Sequence, residues 1–375
     1  MSKKILIISS EYTGRGHKSI TDAICEQLNK TDDVEVSVLE GFSMIGKVGI
    51  NFSKQYGPLT RNSKKAWAIT WKFVQHNTDT INKTVKTLII KKFAEFVEEE
   101  KPDVIVSVHP VFIGCILNVM KKKNINIPFV SMYADLVSIS NMWTDPRADY
   151  SICYTQEAVD YSLKMGIPME KIKKMSFPVR ERFTYGNPVS GSQIFKSHKI
   201  PTFLIMSGGE GSGNLIELSR MLLNNFNCRV KVLTGRNEKL RRKFEKSEKK
   251  KYGERLDVHG FVEAIEELML SSDVAFMRGS PNTILEAINC CLPVVITDAL
   301  PGQEAGNPKY FEENFLGCFA HNLKDIKETV NNLLADDAKL LNNIKEHQAK
   351  FRNPDAAREI AEFIVSLAEK KNEKI

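Results

Sequence analysis

Short apolar runs alternate with longer stretches of helical periodicity along the chain. Residues 4–9, 34–39, 103–108 and 128–132 predict strands, and the amphipathic stretches between them predict helices. This alternation implies a parallel sheet with helices on both faces, because each crossover must return the chain to the same end of the sheet. The pattern restarts after Tyr185-Gly186-Asn187-Pro188 and a Ser/Gly-rich stretch ending at Ser192. New strands are expected at 202–206, 229–233, 255–258, 274–276 and 293–297. Two α/β domains follow, 1–190 and 191–354. The spacing of Ala356, Ile360, Phe363, Ile364 and Leu367 predicts a C-terminal helix within 355–375 whose apolar face must dock, with the first domain as a candidate host. Residues 41–100 exceed an ordinary connection between strands and form an insertion within the first domain.

A length of 375 residues suits two to three domains, and 42% hydrophobic with 26% charged residues excludes disordered and collagenous classes. The net charge of +7 permits an anionic partner, whether a phosphorylated metabolite, an acidic membrane surface or nucleic acid. Dispersal of the basic residues disfavours nucleic acid. The densest run, 239–251, is mixed with Glu245 and Glu248 and reads as a solvated helix face. Lys3 and Lys4 precede an apolar run of only Ile5 to Ile8, too short for an export signal, and no run of about 18 apolar residues occurs, so membrane contact is expected to be peripheral. The seven cysteines are odd in number and lack a C-x-x-C pair, which argues against a disulfide framework or a zinc site and for a reduced cytoplasm.

Candidate chemistry sits where strands end. The first strand runs into Ser10-Glu11-Tyr12-Thr13-Gly14-Arg15-Gly16-His17, a glycine turn opening a helix. The amides of a helix start favour an anion, and an imidazole there can serve as base or phosphate partner. The second domain repeats the device in Ser207-Gly208-Gly209-Glu210-Gly211-Ser212-Gly213. Two more loops follow strands there. One is Arg278-Gly279-Ser280-Pro281-Asn282-Thr283, opening a helix with Glu286; the other spans 298–307. Ligands of open parallel sheets bind beyond the carboxyl ends of the strands, so these three loops predict a nucleotide-sized pocket, with Glu286 placed to take ribose hydroxyls.

The run Gly302-Gln303-Glu304-Ala305-Gly306-Asn307, together with Thr283-x-x-Glu286-Ala287, Gly208-Gly209-Glu210-Gly211 and Gly14-x-Gly16-His17, resembles the monogalactosyldiacylglycerol synthase and processive diacylglycerol glucosyltransferase family. That family is related to the N-acetylglucosaminyltransferase that makes lipid II. The resemblance implies a GT-B fold, in which two Rossmann-like domains, acceptor side first and UDP-sugar side second, face one another across a cleft. It implies inversion at the anomeric carbon. It also implies that Glu286 binds the UDP ribose, that Gln303 and Glu304 meet donor-sugar hydroxyls, that Asn307 supports their loop, and that the backbone of Val262 meets uracil. Gly16, Gly208, Gly209, Glu210, Gly279, Ser280 and Thr283 complete the expected UDP-sugar site. His17 and Asp135 are the expected catalytic pair, each a candidate base. The chain departs from the family where a histidine commonly lies between that aspartate and Trp143, here 137–142 without one, and where Ser280 and Asn282 replace glycines.

Expected partners are UDP-glucose or UDP-galactose, diacylglycerol or a glycolipid acceptor, and an anionic membrane surface at the inner face of the cell membrane. Lys64, Lys65, Trp67, Trp71 and Phe73 of the insertion mix bases with aromatics as a headgroup-contacting segment would, although the four-and-three spacing of Trp67, Trp71 and Val74 also suits an ordinary core helix. No D-x-D sequence occurs, and no cofactor or essential metal is expected. Two alternatives stand beside this reading: a UDP-sugar-dependent transferase with another acceptor, and a nucleotide-sugar-binding regulator without catalysis.

Overall fold

A computed structural model describes residues 2–185, 194–196, 198–206 and 214–372. It divides into two compact units: Met1–Arg180 with Leu300–Ala305 and Asn353–Ile375, and Glu181–Ala299 with Gly306–Arg352. The first unit thus ends ten residues before the boundary expected from the Gly/Ser-rich stretch, and takes in two later segments.

In the first unit, β1 (Lys3–Ser9), β2 (Val34–Glu40), β3 (Val104–Ser107), β4 (Phe129–Met132), β5 (Tyr150–Cys153) and β6 (Ile172–Lys174) form a parallel sheet ordered β2-β1-β3-β4-β5-β6. β3 and β4 are buried at every position because helices cover both faces, whereas the edge strand β2 is half-covered. Helices α1 (Gly16–Leu28), α2 (Lys47–Lys54), α3 (Tyr56–Asn62), α4 (Lys64–His76), α5 (Thr78–Glu100), α6 (Ile113–Lys123) and α7 (Gln156–Lys164) make the connections, so the insertion is helical throughout most of its length. The chain leaves β1 toward β2 and then comes back past it to β3. The loops after β1 and β3 therefore diverge at the carboxyl edge, where open sheets form their ligand crevices.

The second unit is also built on a six-stranded parallel sheet, with β7 (Thr202–Met206), β8 (Arg229–Leu233), β9 (Leu256–His259), β10 (Val274–Arg278), β11 (Val294–Asp298) and β12 (Gly317–Phe319) ordered β12-β11-β10-β7-β8-β9, so that two strands rather than one lie beyond its first strand. Its helices are α8 (Leu215–Asn225), α9 (Glu238–Lys243), α10 (Lys249–Tyr252), α11 (Ile265–Leu270), α12 (Pro281–Asn289), α13 (Asn307–Glu313) and α14 (Leu323–Phe351). Phe203, Ile205, Leu222, Val230, Phe244 and Phe276 centre its core.

The closing helix α15 (Ala356–Asn372) belongs to the first unit and packs on α1 and β1. It buries Ile360, Ile364 and Leu367, each worth about 1.5–3 kcal/mol, and Lys3 reaches Glu369 at 2.6 Å. The ion pair is partly exposed and adds little. Replacing Ile364 by Asp would bury an unpaired carboxylate. We expect amide exchange in α1 to accelerate at least about tenfold, read by mass spectrometry.

Candidate active site

His17 is the second residue of α1, presented by the loop that leaves β1. Gly14 takes φ +82°, a turn a side chain would strain. The loop is anchored from β2, where the Glu40 carboxylate accepts the Glu11 amide at 2.6 Å and the Phe42 amide at 3.2 Å. His17 Nδ1 lies 2.7 Å from the Val108 carbonyl oxygen. A carbonyl only accepts, so Nδ1 carries the proton of the neutral ring and the Nε2 lone pair is left bare. The residue is half-buried by area, yet protein surrounds the ring closely enough that desolvation lowers its pKa to about 4, against a smaller upward pull from Val108.

Asp135 follows β4 and is buried. Its Oδ2 accepts Trp143 Nε1 at 2.6 Å, and its Oδ1 accepts Gln303 Nε2 at 3.2 Å. Burial lifts its pKa to about 6; the two hydrogen bonds pull it down, and the charge of Glu304 adds to the rise. The fully buried Trp143 has its ring 6.1 Å from that of His17, so one indole stands beside both candidate residues. Thr155, the cap of α7, donates to the Leu136 carbonyl at 2.5 Å and fixes the backbone just beyond Asp135. Gln303 Oε1 accepts the Tyr56 hydroxyl at 3.2 Å. Beside it Gly302, at φ +81°, leaves no room for a Cβ, which would lie 2.3 Å from Trp71 Cδ1. Glu304 accepts the Leu300 amide at 2.8 Å, closing its own turn.

In the second unit Asn307, fully buried at the start of α13, donates from Nδ2 to the Gly279 carbonyl at 2.8 Å, while the Gly279 amide donates to Asp298 at 2.7 Å. The loops after β10 and β11 are thereby tied together. Ser280 caps α12 in extended conformation with Pro281 as the first helical residue; Thr283 is half-buried and Glu286 buried on the same helix. Val262 is half-buried after β9, next to an exposed Phe261 whose ring lies 5.2 Å from the Arg236 guanidinium. Gly208, Gly209 and Glu210 lie outside the described residues. Among the described residues no group of three or more His, Cys, Asp or Glu is arranged to hold a metal ion.

The five insertion residues expected at lipid separate. Trp67 is buried, edge-on to Tyr56 at 5.2 Å, and Trp71 packs on Gly302, so both stabilise the fold. Lys64, Lys65 and Phe73 are exposed. The apolar side chains that α2 and α4 present to solvent are Val48, Phe52, Ile69 and Phe73, which fall at i, i+4 on each helix. Local spacing does not mark His109 as a neighbour of His17, Tyr56 as a partner of Gln303, or the Trp143 indole as a donor to Asp135. Of these, His109 had a usable signal, since it follows an apolar strand at the edge where His17 emerges.

The raised pKa of Asp135 makes its ionisation costlier in the folded than in the unfolded chain. Wild type therefore loses stability through this group as pH rises from about 4 to about 6, with no further loss above. Asp135→Asn cannot ionise, so the difference in denaturation midpoint between the two proteins should move toward the variant across that interval and stay constant at higher pH.

Residues 17–179 match the family model described as Monogalactosyldiacylglycerol (MGDG) synthase, and residues 209–351 match that described as Glycosyl transferases group 1. The chain is 27% identical over 398 residues to the chloroplastic monogalactosyldiacylglycerol synthase of Spinacia oleracea, covering 98% of this chain and 73% of that protein. Among solved structures it resembles Acinetobacter baumannii MurG, with TM-score 0.65 and 13% identity over 98% of this chain and 100% of that one. It also resembles Medicago truncatula UGT71G1 complexed with UDP-glucose, with TM-score 0.63 and 11% identity over 98% of each. These likenesses agree with two parallel α/β sheets of the GT-B class. One match spans His17, His109 and Asp135 and the other spans Glu286 and Asn307, so the chain joins a region similar to monogalactosyldiacylglycerol synthases to a region similar to group 1 glycosyltransferases.

Proposed function

We propose that the protein transfers a hexosyl group, glucose or galactose, from a UDP-sugar to diacylglycerol or a related glycolipid, with inversion. The observation that carries the chemistry is the bare Nε2 of a neutral His17 at the carboxyl edge of the first sheet. The acceptor hydroxyl oxygen forms the new bond to the anomeric carbon, the bond from that carbon to the diphosphate breaks, and His17 Nε2 takes the hydroxyl proton. Asp135, with both oxygens already accepting hydrogen bonds, orients Trp143 and Gln303 in this scheme. Glu286 takes the ribose, Val262 the uracil, and Gly279, Ser280 and Thr283 at the start of α12 the diphosphate. Gly16, Gly208, Gly209 and Glu210 add backbone and polar contacts. Gln303 and Glu304 meet the sugar, held in place by Asn307. Amides at helix starts stabilise the departing diphosphate, and the scheme needs no metal.

The test is transfer from labelled UDP-glucose and UDP-galactose to diacylglycerol vesicles in EDTA, with mass analysis of the extracted lipid. We expect an organic-extractable hexosyl product and a loss of about 10²- to 10⁴-fold in kcat/KM for His17→Ala. UDP binding without turnover on any lipid would leave a regulator instead. With His17 as base, kcat/KM should hold as pH falls and drop only near 4; a drop centred near 6 would move the role to Asp135.

A membrane surface completes the reading. Among the described residues no helix is long and apolar enough to cross a bilayer. The exposed Val48, Phe52, Ile69 and Phe73 lie among Lys47, Lys54, Lys64, Lys65 and Lys72, a combination suited to shallow insertion beside anionic headgroups. The protein should float with vesicles containing anionic lipid, and Phe52→Ser with Phe73→Ser should abolish flotation while leaving the circular dichroism spectrum unchanged.

A further inference from the structure

His109 is a buried titratable group that the scheme above does not use. It stands two residues beyond β3, where it caps the short turn Pro110–Phe112, and its Nδ1 accepts the Val111 amide at 3.3 Å. An amide only donates, so Nδ1 is bare, Nε2 carries the proton, and that proton is donated to Thr13 Oγ1 at 3.0 Å. Phe42 and Phe112 wall the ring at 5.3 Å each, and the His17 ring lies 4.4 Å away at 48°. A second proton would turn Nδ1–H against the Val111 N–H and set a cation beside His17. Consecutive residues thus hold His17 from two sides, the Val108 carbonyl at Nδ1 and the His109 ring against its face.

We propose that His109 is a positioning residue for His17. Its neutral ring, pinned by Val111 and tied through Thr13 to the loop after β1, keeps the His17 imidazole in the orientation whose Nε2 is unprotonated. The inference rests on the reading of His17 as the base. The charges around the pair are otherwise engaged. On α1, Lys18 pairs with Asp22 and Glu11; at the end of β2, Glu40 holds the Glu11 and Phe42 amides; after β4, Asp135 is bound to Trp143. The His109 ring packs against the face of His17, and removing it would open that face of the imidazole to water.

Long-range ¹⁵N imidazole spectra of the full chain test this directly, for wild type, His109→Ala, His109→Gln and Thr13→Val. We expect a single Nδ1–H tautomer of His17 in wild type, protonating near 4. His109→Gln, which fills the space and keeps an amide toward Thr13, should retain it. In His109→Ala the tautomers should mix and the midpoint should rise by about one pH unit or more, as water reaches the ring. Thr13→Val should shift both in the same direction by less. In turnover, kcat of His109→Ala should fall at least about tenfold with KM little changed, and the Gln variant should recover. An unchanged His17 tautomer and midpoint in both the Ala and Val variants would overturn the proposal. If His109→Ala does not fold, Thr13→Val in the loop decides alone. Full turnover by His17→Ala would instead refute the reading of His17 as base, which the spectra judge separately.

Discussion

The parallel pairing of β1 with β3 is the constraint on which the site depends. Ile8 stands opposite Ser107, so both strands release their chains at one level of the same edge. One chain end becomes the helix that carries His17, and the other supplies the Val108 carbonyl that holds its ring. Had the strands been antiparallel, the two ends would lie at opposite edges of the sheet. A backbone oxygen set by sheet register thus selects which nitrogen of a side chain 91 residues away bears a proton.

Burial acts on His17 and Asp135 in opposite senses for one reason. Both environments disfavour charge, which makes the imidazole harder to protonate and the carboxylic acid harder to ionise. Near neutral pH the result is an uncharged ring and an ionised acid, separated by an indole that touches the surroundings of each. Trp143 is suited to that place because it donates one strong hydrogen bond to the carboxylate and offers an apolar face to its other neighbours.

Much of this architecture can be read from the chain. β1, β2, β7 and β8 fall within a residue of the runs that predict them: β1 and β7 because strands buried on both faces leave continuous hydrophobic stretches, β2 and β8 because their apolar residues alternate with polar ones. β5, β6 and β12 are not marked by such a run. They have only three or four residues, and in β6, with two lysines, the pairing with β5 defines the strand more than its own pattern does. The site was legible where a glycine turn follows a strand, as at Gly14 and Gly279. It was illegible where partners come from far along the chain, as with Tyr56 for Gln303 or Gln303 for Asp135, since no local spacing encodes a contact across more than a hundred residues. The aromatic segment 56–73 shows the same limit. Composition marks it as amphipathic, but only packing decides that Trp67 turns inward and Phe73 outward.

The return of α15 to α1 has a consequence for biogenesis. The first unit is interrupted by the second, so a nascent polypeptide presents α1 without its cover until α15 leaves the ribosome. At ordinary elongation speeds that interval lasts roughly fifteen seconds to a minute. A chaperone that shields apolar helices would have its longest opportunity here.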